Sequence, residues 1–91
     1  MNRTNTIDRI SQMELYFDTL QKAFEEDPSS LLTSPLLSEM LQHLIQYYES
    51  KDWLEDFECD ERGELPSELK RGVLSEDGLY NFLSDLNAYY K

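Results

Sequence analysis

The chain has 91 residues, enough for one domain, and its 19 acidic and 8 basic side chains leave a net charge of -11. That balance opposes binding to phosphate backbones and anionic lipid, so neither nucleic acid nor membrane is expected as a direct partner. The lone Cys59 excludes an internal disulfide, and no stretch approaches the ~20 apolar residues of a transmembrane helix.

Hydrophobic residues form 40% of the chain, which suits one modest core rather than a disordered tail. The opening MNRTNTIDRI has no apolar run, so no secretory signal is expected and the cytoplasm is the default location. There is no internal repeat and no linker-like tract. Apolar residues recur at steps of three and four, which predicts amphipathic helices throughout.

The first helix is expected over about 6–26, with Thr6 as its N-cap. Ile10, Met13, Phe17, Leu20 and Phe24 form a seam with 3, 4, 3, 4 spacing, and Leu15 falls on the opposite face. Asp27-Pro28-Ser29-Ser30 breaks the helix, and Leu31-Leu32 is expected as a short turn over the core. Ser34-Pro35 then opens a second long helix, about 35–50, as N-cap and first helical residue. Leu37, Leu41, Leu44 and Tyr48 line its main face. Leu36, Met40, Tyr47 and Ile45 widen the apolar arc to about half the circumference, so this helix is expected to be central.

Residues 49–64 are the acidic segment, with eight acids and two bases. A short helix over about 52–61 is expected there, with Trp53, Leu54 and Phe57 on one face and Gly63 as its stop. Leu65-Pro66 starts a compact connection anchored by Leu69, Val73 and Leu74. Ser75 caps the last helix, about 76–89. Its inner stripe is Leu79, Phe82, Leu83, Leu86 and Tyr90. The chain therefore reads as one all-α domain over 1–91, a compact three-to-four-helix bundle with short connections.

The segment 53–83 has a distinctive pattern: Trp53-Leu54-Glu55-Asp56-Phe57, then Gly63 with Leu65-Pro66, then Leu69-Lys70-Arg71-Gly72-Val73-Leu74-Ser75-Glu76-Asp77 and Leu79-Tyr80. It resembles a family of small acidic bacterial proteins defined only as a domain of unknown function. The resemblance implies a small intracellular protein of bacterial or phage origin. It brings no catalytic or binding residue with it.

The chemistry-bearing residues are few. Asp56, Glu58 and Asp60 alternate like the early ligands of a calcium loop. Counting from Asp56, however, Glu61 stands where that loop needs glycine and Ser67 where it needs glutamate. One His and one Cys cannot close a zinc site. Cys59 lies among Glu58, Asp60 and Glu61, surroundings that oppose an activated thiol, and His43 is expected as a partly buried structural residue. No metal, cofactor or catalytic residue is assigned, and the chain is expected not to be an enzyme. Lys70-Arg71 is the one adjacent basic pair, expected to pair with the acids of 55–64.

What remains is a protein-interaction or regulatory module. Its expected binding face is Asp52, Trp53, Glu55, Asp56, Glu58, Asp60, Glu61 and Glu64, directed at a basic or amphipathic protein. Two alternatives stand beside it. One is a DNA-mimicking inhibitor, because six net charges over 16 residues approach the charge density of one DNA strand. The other is a small enzyme with no recognisable signature. A homodimer through the seam of the first helix is a further interaction route.

Overall fold

The computed structural model describes residues 3–89, apart from the side chains of Arg3, Thr4 and Glu76. Five helices follow in order: α1 (Arg3–Glu26), α2 (Ser30–Thr33), α3 (Pro35–Tyr48), α4 (Lys51–Glu61) and α5 (Glu76–Tyr89), with a 3-10 turn at Gly72–Leu74 before α5. The fold is an all-α bundle, and no strand occurs among the described residues. At 1.5 Å per residue, the 24 residues of α1 span roughly 36 Å. That length sets the 38 Å long axis of the molecule. Tyr90, assigned to the inner stripe of the last helix, lies outside the described residues.

The helix boundaries have local causes. Asp27 and Pro28 stop α1, and the Asp27 carboxylate accepts hydrogen bonds from the Ser29 N–H and hydroxyl. Ser34 caps α3 by accepting from the Leu37 N–H, with Pro35 in the first turn. Ser50 does the same for α4 through the Trp53 N–H. At the other end of α4, the Gly63 N–H bonds to Asp60 O and the Glu64 N–H to Cys59 O. This closure requires a left-handed residue, and Gly63 supplies it at φ +71°. The Ser75 hydroxyl accepts from the Gly78 N–H at the start of α5. Thr6 is not the N-cap of α1, which begins at Arg3. It is 7% exposed because it faces α4 instead of solvent.

The core consists of Ile10, Phe17 and Leu20 of α1, Leu31 of α2, Leu44 and Tyr47 of α3, Cys59 of α4, Leu65 of the connection, Val73 and Leu74 of the turn, and Leu79, Phe82 and Leu86 of α5. Leu31 is fully buried while Leu32 is 63% exposed, so α2 covers the core with one leucine. α3 packs on α1, α2 and α4, the several neighbours its wide apolar arc demands. α1 shares the centre. Side chains of its N-terminal half meet α4 and the 3-10 turn, and those of its C-terminal half meet α5. The α1 seam is thereby spent on the chain's own core, and Leu15 on its outer face is 62% exposed. No helix is long and apolar enough to cross a membrane among the described residues.

Candidate functional site

α4 carries most of the residues expected to form a binding face, and the fold divides them into two stripes. Asp52, Asp56 and Asp60 recur every four residues and so share one face. Glu55, Glu58 and Glu61 recur every three and turn outward, and all three are exposed. The aspartates meet arginines of the same chain. The glutamates carry no ion pair or side-chain hydrogen bond among the described residues.

Asp56 is the correction to the expected surface. It is 1% exposed, one of the most buried side chains in the molecule. Arg9 of α1 grips it in a fork, with Nε 2.9 Å from Oδ2 and Nη2 2.5 Å from Oδ1. The Tyr47 hydroxyl of α3 donates to Oδ2 at 2.5 Å. A buried carboxylate is tolerated only when its oxygens are satisfied, and these two groups satisfy them from two other helices. The hydrogen bond to Asp56 raises the Arg9 pKa above its ordinary value. Burial and then the same carboxylate raise that of Tyr47. Tyr47, which flanks the main apolar face of α3, is 6% exposed.

The flanking aspartates are more open. Asp52 lies 3.7 Å from Arg9 Nη1 at the surface. Asp60 accepts from Arg71 Nη1 at 2.8 Å in a half-buried pair. The Lys70-Arg71 pair thus splits. Arg71 reaches the acidic helix as expected, whereas Lys70 bonds to Asp18 of α1 at 2.9 Å. Glu64 lies beyond the helix and pairs with Arg62. Its carboxylate also accepts from the Cys59 thiol at 3.6 Å.

The expected apolar face of α4 is displaced by the same arrangement. Asp56 and Cys59 point inward, so Trp53 and Phe57 are half-buried at the side and Leu54 is 52% exposed. Trp53 is fixed from three directions. Its ring stacks on Phe57 at 5.2 Å, Tyr48 meets it edge-on at 5.1 Å, and its Nε1–H donates to Val73 O at 3.0 Å. An ordered aromatic ridge therefore runs beside the exposed Leu54 and the glutamate stripe.

Three polar positions escaped the sequence reading: Arg9, Glu14 and Tyr47. Glu14 is 6% exposed, and its Oε1 accepts from the Val73 N–H at 2.8 Å, holding the 3-10 turn against α1. A Cβ at Gly72 would lie 3.1 Å from Glu14 Oε2, which explains the glycine there. The available signals were weak: Glu14 sits between Ile10 and Phe17 on the seam's edge, and three aspartates share a four-residue step. His43 is also corrected. Its side chain is 51% exposed beside Glu39, with Tyr16 at 6.3 Å, because the inward turns of α3 are taken by Leu44 and Tyr47. Among the described residues no group of three His, Cys, Asp or Glu is placed to hold a metal ion.

A family profile described as a domain of unknown function, DUF4298, matches residues 10–91, and the chain belongs to that family. No curated protein and no solved structure shows significant similarity to it.

Proposed function

We propose that this DUF4298 member is a non-enzymatic protein-interaction module whose binding face is the outward side of α4. The observation that carries the reading is Leu54, 52% exposed among three glutamates that form no ion pair or side-chain hydrogen bond among the described residues. An apolar contact flanked by exposed negative charge suits a partner with the opposite pattern, a basic amphipathic surface. Trp53 and Phe57 extend the apolar contact, and their fixed packing lowers the ordering cost of binding. Of the eight residues first expected at this face, Glu55, Glu58, Glu61 and Trp53 are retained. Asp52, Asp56 and Asp60 position the helix, and Glu64 stands apart in the following loop. The module acts in the cytoplasm of a bacterium or of a phage-infected cell.

A nucleic-acid mimic draws less support. Asp56 and Asp60 are engaged by Arg9 and Arg71, which leaves a short outward row instead of a continuous acidic strip. Competition separates the two readings, because DNA displaces a mimic from its partner and leaves other contacts intact.

The test is capture from native lysate at low and high salt, with wild type, Glu58→Lys/Glu61→Lys and Leu54→Ala as baits. A single basic protein retained by wild type and lost by both variants is the expected result. Retention of the same protein by both variants overturns the assignment of this face. Salt sensitivity should be larger for the wild type than for the charge-reversed bait.

A further inference from the structure

A second surface lies between α1 and α5, away from the acids of α4. The backbones of these two helices do not pack closely; aromatic side chains span the gap. Phe17 meets Phe82 at 5.5 Å, Phe82 meets Phe24 at 6.1 Å, and Phe24 meets Tyr89 at 5.9 Å, each pair edge to face. The ladder climbs from the buried Phe17 to Tyr89, which is 52% exposed. Above Phe24 and Phe82 the gap opens into a groove of about 300 Å³. Gln21 and Glu25 of α1 form one wall, and Asn81 and Asp85 of α5 form the other. Neither Glu25 nor Asp85 has an ion pair among the described residues.

We infer that this groove receives an arginine side chain presented by a partner protein. The floor is aromatic and suits the flat, weakly hydrated face of a guanidinium. The walls offer carboxylate and amide oxygens from two sides, which match the five donors of arginine better than the three of lysine. A second copy of this chain is a poor occupant, because each copy carries a net charge of -11 and both rims are acidic. The site stands independently of the α4 reading, since it shares no residue with it.

The experiment is a titration of the full ¹⁵N-labelled chain with N-acetyl-arginine methylamide, followed by amide chemical shifts. N-acetyl-citrulline methylamide, nearly the same shape without the charge, and the lysine analogue are the comparison probes. The expected result is shifts confined to residues around Phe24, Glu25, Gly78, Asn81 and Asp85. Citrulline should bind about tenfold more weakly, as should arginine to the Glu25→Gln/Asp85→Asn variant. Both substitutions are at exposed positions, and the spectrum itself reports whether the variant is folded; the single variants serve as a second test. Glu58→Gln/Glu61→Gln should bind as wild type does. Absent shifts, shifts spread evenly over every acidic surface, or undiminished binding to Glu25→Gln/Asp85→Asn would overturn the site. Equal binding of citrulline would remove the charge argument, and equal binding of the lysine analogue would overturn the choice of arginine.

Discussion

The two acidic stripes of α4 have the same charge and nearly the same composition, and they do opposite things. On one, Asp52, Asp56 and Asp60 face Arg9 and Arg71 and bind the helix to the bundle. On the other, Glu55, Glu58 and Glu61 face solvent, and none of them forms an ion pair or side-chain hydrogen bond among the described residues. The shorter side chain sits where a carboxylate is held close to the backbone, and the longer one where it projects. Formal charge along this helix therefore says little about role. What matters is whether a cation from another element arrives within hydrogen-bonding reach.

The largest expected effect is at Asp56. Asp56→Ala removes the shared acceptor of Arg9 and Tyr47, leaving the buried Tyr47 hydroxyl unsatisfied and the half-buried Arg9 with only its contact to Asp52. Breaking a buried pair in this way costs about 3 kcal/mol, a large share of the stability of a domain this size. Urea denaturation should show the midpoint fall without a change in slope. A loss well under 1 kcal/mol would place the aspartate stripe in the same class as the exposed one.

Tyr47→Phe should cost less, about 1–2 kcal/mol, since it removes one hydrogen bond and keeps the ring. Its pH dependence carries the sharper signature. The folded pKa of Tyr47 is raised, so its contribution is complete below the ordinary tyrosine value of about 10 and is lost as pH rises beyond it. An alkaline titration followed at 295 nm should show a component from Tyr47 that ionises only as the chain unfolds. In Tyr47→Phe that late component should be missing. Persistence of the late component in Tyr47→Phe, with only the early amplitude reduced, would contradict the burial of this hydroxyl.

Asp60→Ala tests the intermediate case. Its pair with Arg71 is about one-third exposed on each side, so solvent screens it and the expected cost is about 0.5–1 kcal/mol. A cost equal to that of Asp56→Ala would mean that burial does not set the ranking along the stripe.

The same contrast shows how far the sequence could be read. The long helices were legible because Ile10, Phe17, Leu20 and Leu44 repeat at helical spacing and because Ser34, Ser75 and Gly63 mark the ends by local chemistry. The start of α1 was misplaced at Thr6, since a threonine that packs against another helix looks the same in sequence as one that caps. Asp56 was unreadable as a buried residue. Its burial depends on Arg9, 47 residues away, and on a tyrosine whose ring alone would suit a surface edge. The glutamate stripe was correctly placed outside, but so were the aspartates, because their sequence pattern holds no sign of which arginine comes near.

The most direct test compares two charge-matched variants by thermal denaturation: Asp52→Asn/Asp56→Asn/Asp60→Asn and Glu55→Gln/Glu58→Gln/Glu61→Gln. Each removes three negative charges from the same helix, so the change in overall self-repulsion is closely matched. The triple asparagine variant should melt roughly 15–30 °C lower than the wild type, the combined cost of its three arginine contacts. The triple glutamine variant should melt at or slightly above the wild type, as expected when unpaired like charges are relieved. Equal melting temperatures for the two variants would contradict the division of α4 into a structural and an outward-facing stripe.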